Sequence, residues 1–148
     1  MDMDSFLAQA VRIEHAAEMI YRRSAELIDA AENPQAVVFF DEMAGYAHKH
    51  ALQAITRAGD GALNRSLYLG DNDAEPESLI TLPTVGDRIE LEGAMRMALE
   101  AEKRGLAFYL EVARDASDPD VRILALEFAA EEREHVFAVE KFLGQRPY

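Results

Sequence analysis

The chain contains no cysteine. Disulfides, cysteine-ligated zinc, iron–sulfur clusters and thiol nucleophiles are therefore excluded. Any metal must be held by histidine, carboxylate or backbone oxygen, a donor set that suits iron, manganese or zinc. Basic residues are scarce: 15 Lys and Arg stand against 28 Asp and Glu, a net charge of −13. Nothing on such a chain neutralises a phosphate backbone, so nucleic acid is excluded as a partner. Acidity by itself implies only a solvated surface. No run approaches the roughly 20 apolar residues of a membrane span, so no membrane partner is expected. The opening "MDMDSFLAQAV" has no basic stretch and no long apolar core. A secretory signal is therefore not expected, and a cytoplasmic location is. Strand-like alternation of useful length is also missing.

What remains is helical periodicity, punctuated by caps. The 148 residues suffice for one domain with its own core. Asp4 or Ser5 can cap a first helix over about 5–31. Asn33-Pro34, a cap followed by proline at the first helical position, opens a second over 34–58 that ends at Gly59. Asp87, with Glu90 three residues on, reads as a capping box for a third helix over 88–116. "SDPD" at 117–120 repeats the cap-then-proline device for a fourth over 119–143, before Gly144. Each helix has about 25 residues and spans roughly 35–40 Å. Very short turns join the first two and the last two, making two antiparallel hairpins. Between them, about 59–87 is too long for a structureless loop, unless it runs the length of a bundle. The expected fold is thus all-α: an antiparallel four-helix bundle of two hairpins joined by one long crossover.

The buried stripe of each helix, followed in steps of three and four, is apolar except near its middle. There the first carries Glu14 and Glu18, the second His50, the third Glu102, and the fourth Glu132 and His135. An unpaired ionised carboxylate in a bundle core costs several kcal/mol. Such residues at mid-height on all four helices need a shared partner, and a divalent cation supplies one. Glu132 and His135, three apart, lie on one helical face and can reach one ion together.

The chain also repeats itself. "EHAAEMIY" (14–21) and "EKRGLAFY" (102–109) both begin with Glu and end with Tyr seven positions later. "MAGYAHKHA" and "FAAEEREHV" align on His50 and His135. This pattern resembles the ferritin-like superfamily, and within it the rubrerythrin-like di-iron proteins. Their site takes one Glu from each of two helices and Glu-x-x-His from each of the other two. The resemblance implies the ligands Glu14, His50, Glu102, Glu132 and His135, two iron ions, and Tyr21 and Tyr109 close to the metals. It further implies reduction of peroxide or oxygen, or oxidation of ferrous iron, and a homodimer. The family's Cys₄ rubredoxin module is absent, so an external electron donor is needed.

The first Glu-x-x-His is broken, because position 47 is Ala. Three fillings compete. Glu18, one turn beyond Glu14 and opposite Gly45 and Ala47, can supply the missing carboxylate. One metal can be held tightly and a second weakly, with water in the gap. Or the site is degenerate and the bundle structural, in which case neither metal nor turnover is expected. His48 reads as a surface residue, His15 as a surface residue or a partner of a ligand side chain, and Glu100, Glu127, Glu131 and Glu134 as solvated faces or as partners of the ligand imidazoles.

Overall fold

The computed structural model describes residues 1–62, 84–85 and 88–144. Helix α1 spans Met3–Leu27. Its cap is Asp2, whose Oδ1 accepts the Ser5 N–H at 2.8 Å, rather than Asp4 or Ser5 themselves. Asp4 instead sits in the first turn, where its charge faces the positive end of the helix dipole. The helix stops four residues before Ala31. Ile28 leaves the helical region (φ −73°, ψ 148°) with its side chain buried. Asp29 then accepts the Ala31 N–H at 3.0 Å through its own carboxylate. That local bond offers the backbone an alternative to helix.

Helix α2 spans Pro34–Ala62, three residues beyond the Gly59 stop read from the sequence. The Asn33 carbonyl accepts its first N–H groups, from Ala36 and Val37. Helix α3 spans Leu91–Asp115 and α4 spans Pro119–Gly144. Asp118 opens α4: its carboxylate accepts the Asp120 N–H at 2.9 Å and its carbonyl the Arg122 N–H at 3.1 Å.

The start of α3 differs from expectation. Its N-cap is Glu90, which makes no side-chain capping bond. The preceding Arg88–Ile89 (β2) pairs antiparallel with Thr84–Val85 (β1), in the register Thr84↔Ile89 and Val85↔Arg88. The β-branched residues Thr84, Val85 and Ile89 on either side of Gly86-Asp87 are a hairpin signal, and here it outweighs the capping-box reading. Asp87 itself, and most of the crossover at 59–87, lie outside the described residues.

Side-chain contacts give the helix directions. Tyr21 meets Glu102, Glu14 meets Tyr109, and Phe6 meets Phe108, so α1 and α3 run antiparallel. His50 meets Glu131 and Arg57 meets Glu127, so α2 and α4 do too. With antiparallel hairpins α1–α2 and α3–α4, helices α2 and α3 must run the same way. A connection that returns along the bundle produces that arrangement. The broad packing interfaces lie within each hairpin. Among the described residues, no helix is long and apolar enough to cross a membrane.

The apolar core is in two parts. One cluster holds Ile20, Tyr21, Phe40, Met43, Ala47 and Met95. The other holds Phe6, Leu7, Val11, Tyr109, Val121 and Phe128. Buried Glu14, His50, Glu102, Glu132 and His135 separate them. The bundle is thus two apolar half-cores around a polar layer.

Phe6 anchors the second half-core: it is fully buried, with Phe108, Tyr109 and Phe128 at ring-centroid distances of 6.4, 6.0 and 5.8 Å. Phe137, by contrast, is 68% exposed. Urea denaturation will show Phe6→Ala losing about 3–5 kcal/mol, and Phe137→Ala changing stability by at most about 0.5 kcal/mol. Equal losses for the two would contradict this division of the core.

Candidate metal centre

The site is built from the internal repeat. Glu14 and Tyr21 on α1 lie seven residues apart, as do Glu102 and Tyr109 on α3. Because the two helices are antiparallel, each Tyr comes level with the other helix's Glu. Tyr21 donates its O–H to Glu102 Oε1 at 2.6 Å, and Tyr109 donates to Glu14 Oε1 at 3.2 Å. Burial, and then the neighbouring carboxylate, push both phenols well above their usual pKa of 10. Both therefore remain donors at neutral pH. Each fixes one carboxylate oxygen and leaves the other for the centre.

Glu102, Glu132 and His135 form the tightest group. One ligand atom from each lies within 4.8 Å of the others, all three residues are buried, and the group could hold a metal ion. His135 Nδ1 is 3.5 Å from Glu102 Oε2 and 3.8 Å from Glu132 Oε2. The space is kept by Gly105, one turn beyond Glu102: a Cβ there would stand 3.5 Å from Glu132 Cδ and 3.3 Å from Ile13 Cγ2.

Three carboxylates this close cannot all be charged. Burial, and then Glu102 and Glu14, drive the Glu132 carboxyl far above its ordinary 4.5. Burial acts against the Glu102 charge too, but hydrogen bonds from Glu132 and His135 outweigh it and hold that carboxyl below 4.5. For His135, burial disfavours the imidazolium, yet Glu102 more than offsets this and raises its pKa above 6.5. In the metal-free protein, Glu132 thus keeps a proton beside an ionised Glu102. Glu132 Oε2 has no hydrogen-bond partner among the described residues.

The other half of the layer holds His50 and Glu14. His50 Nδ1 points at Glu14 Oε2 across 3.8 Å, too far for a hydrogen bond, and is buried without a partner. Its Nε2 meets Glu131 Oε2 at 3.2 Å. The rings of His50 and His135 stack 5.0 Å apart, so the two halves adjoin. Ala47 is buried in the apolar cluster with Met43, Ala44 and Tyr21.

Glu18, the sequence candidate for the gap, has two side-chain partners. Its Oε1 takes Arg22 Nε at 2.9 Å and His48 Nδ1 at 3.1 Å. Glu18 is itself buried, and these partners, one four residues on and the other a half-exposed histidine, hold its carboxylate in the metal-free chain. Glu131 lies off the buried stripe of α4 and still reaches the layer. Of the two readings the sequence offers for it, a solvated face or a partner of a ligand imidazole, the structure shows the second: it is half-buried against His50. The signal was present in the repeat: alignment of His50 on His135 sets Tyr46 against Glu131. Tyr46 packs over His135, with ring centroids 6.1 Å apart. Each histidine thus touches the residue at the equivalent position of the other hairpin.

The proton on Glu132 has a measurable consequence. Its folded pKa is raised, so between pH 5 and 8 the folded chain holds a proton that the unfolded chain has released. Stability is then fully present below about pH 4.5 and falls as pH rises, by at most about 1.4 kcal/mol per unit from this group. His135 adds to the fall above its ordinary 6.5. Metal-free Glu132→Gln will show a shallower fall than wild type in chelator-treated urea titrations across this range; parallel curves would contradict the shared proton.

No protein-family model and no curated protein matches the chain. Among solved structures, it is similar to an uncharacterised conserved protein from Magnetospirillum magnetotacticum MS-1. That likeness has 30% identity and a TM-score of 0.76 over 100% of this chain and 97% of the other. It is also similar to a dodecameric thioferritin, a bacterioferritin-related protein from Bacteroides fragilis. Here the TM-score is 0.70, covering 97% of this chain and 87% of the other; at 20% identity the likeness is one of fold. The fold is thus that of a ferritin-like four-helix bundle, and the chain belongs to one family with the Magnetospirillum protein.

Proposed function

We propose that the chain is an iron-handling protein that holds two metal ions in its polar layer. The observation that carries this reading is a pair of buried, partnerless ligand atoms, Glu132 Oε2 and His50 Nδ1, one in each half of the layer. Such atoms cost about 1–3 kcal/mol each when nothing satisfies them. A divalent cation satisfies them together. The donors are hard oxygen and imidazole nitrogen, which suits iron, with manganese or zinc as alternatives. Glu102, Glu132 and His135 would hold one ion, and Glu14 and His50 the other.

The chain's own residues do four things. Tyr21 and Tyr109 orient Glu102 and Glu14 by hydrogen bonds to one oxygen of each. Glu132 and His135 release protons to admit a cation, because ligands bind metal deprotonated. The two apolar half-cores exclude bulk water above and below the layer. Gly105 keeps the space beside Glu132 open. Ferrous iron held there would supply the two electrons that peroxide needs, with two protons, to become two waters. With no cysteine in the chain, the electrons that restore the ferrous state come from an external donor.

A second reading is favoured by Ala47: metal binding or iron delivery without turnover. A site short of one bridging carboxylate can bind two ions and still handle peroxide slowly. Rubrerythrin-like chemistry and a homodimer belong to the first reading. The Bacteroides relative is a dodecamer, so sedimentation of this chain distinguishes a pair from a cage-forming assembly.

Ferrous iron, added anaerobically to chelator-stripped protein, will bind at two equivalents per chain and raise the melting temperature by mass action. Glu132→Ala will lose at least one equivalent. Stopped-flow mixing of the loaded protein with hydrogen peroxide will show oxidation faster than that of free ferrous iron. Two equivalents with no acceleration would favour iron delivery, and no binding at all would leave a structural bundle. Binding will also release protons, seen calorimetrically as an enthalpy that depends on the buffer.

A further inference from the structure

We propose that Glu18 is a stored ligand for the second metal position: Arg22 and His48 hold its carboxylate in the metal-free chain, and a cation beside His50 draws it in. This rests on the two-ion reading above and deepens it. The two halves of the layer are unequally supplied. Glu102, Glu132 and His135 offer three ligand atoms to one ion, whereas Glu14 and His50 offer two to the other. There His50 Nδ1 is buried and has no partner. The shortfall is the one that Ala47 leaves, since the other hairpin has Glu132 at the equivalent position.

Two contacts fix the level of Glu18. Glu14 faces His50, and Glu18, one turn on, takes a hydrogen bond from His48. Position 47 adjoins that second contact. Ala47 also shares a buried cluster with Ala17 and Tyr21, which stand on either side of Glu18 along α1. Glu18 is therefore level with the missing carboxylate, and it is buried, at 8% exposure. Residues four apart on a helix have Cβ atoms about 5–6 Å apart, and helical side chains tilt toward the N-terminus. Glu18 thus leans toward Glu14. Its present bonds come from Arg22 Nε at 2.9 Å and His48 Nδ1 at 3.2 Å. Those two side chains are 51% and 47% exposed. Water takes over both when they are released, and ion pairs at such exposure contribute little. Rotation between staggered side-chain torsions moves the Glu18 carboxylate while the helix stays in place. Stored on Arg22 and His48, that carboxylate adds nothing to the crowding of the metal-free layer.

The test follows zinc, which is diamagnetic, by calorimetric titration and nitrogen-15 spectra of the whole chain. Wild type will take up two zinc ions per chain. As the second binds, the Arg22 Nε and His48 Nδ1 signals, assigned through Arg22→Gln and His48→Asn, will move toward their positions in metal-free Glu18→Ala. Glu18→Ala will bind one ion as wild type does. It will weaken the other by more than the roughly 10–100-fold that loss of an indirect partner costs. Arg22→Gln, a change at a half-exposed residue, will bind the second ion about 2–5-fold tighter than wild type, because it loosens the stored state and leaves the bound one intact. A merely structural role for Glu18 gives no such gain. Arg22 and His48 signals that stay in place when the second ion binds, a Glu18→Ala protein with both affinities intact, or weaker binding by Arg22→Gln overturns the role of Glu18 alone. A wild type that takes up fewer than two ions overturns the two-ion reading, and does so in the unsubstituted protein.

Discussion

Three carboxylates and two imidazoles share one buried layer between two apolar half-cores, and the rest of the molecule is arranged around that fact. Carboxylates out of water and close together cannot all carry charge. Each local feature of the site answers this constraint. Tyr21 and Tyr109 each satisfy one oxygen with a donor that burial keeps protonated. Glu132 stays neutral so that Glu102 need not. His135 leans toward its charged form beside Glu102. What these devices leave over is one partnerless atom in each half of the layer. The metal-free arrangement is therefore a compromise held by protons, and cations can take the place of those protons.

The duplicated hairpin explains both the symmetry of the centre and its defects. Two antiparallel copies place Tyr21 on Glu102 and Tyr109 on Glu14 by one geometric rule. The same rule sets Tyr46 on His135 and Glu131 on His50. A side chain lost in one copy therefore does not remove the position. It changes which chemistry stands there. Ala47 closes into the apolar cluster, Glu18 is taken by Arg22 and His48, and the only carboxylate the described residues place at His50 Nε2 comes from the opposite hairpin.

Much of this was legible in one dimension, because the signals involved are local. Asn33-Pro34 and Asp118-Pro119 carry their start signals within two residues. The mid-helix polar residues stand out on their stripes because each interrupts an apolar period. Helix ends were harder to read, since the competing bonds differ by little. Asp2 rather than Asp4 reaches the N–H three residues on, Asp29 bonds its own backbone, and Arg88–Ile89 find a strand partner. The position of Glu131 does not follow from its own helix for a different reason. A stripe describes one helix at a time, whereas the environment of Glu131 is created by His50, 81 positions earlier in the chain. Only the repeat, read across copies, connects them.

Charge balance ties the missing glutamate to the extra one. In the pattern this chain resembles, each Glu-x-x-His supplies a carboxylate and each of the other helices one more, four in all. Four negative charges neutralise two divalent ions, and neutrality matters in a layer enclosed by apolar side chains. Ala47 leaves three in the layer: Glu14, Glu102 and Glu132. Glu131, 3.2 Å from His50 Nε2, brings a fourth carboxylate to the edge of the layer. It does so from a half-exposed position, where an ionised carboxylate costs less in the metal-free protein than a fourth one buried at 47 would. The substitution at 47 thus eases the charge crowding of the metal-free layer while keeping, on the proposed reading, the charge that two cations require.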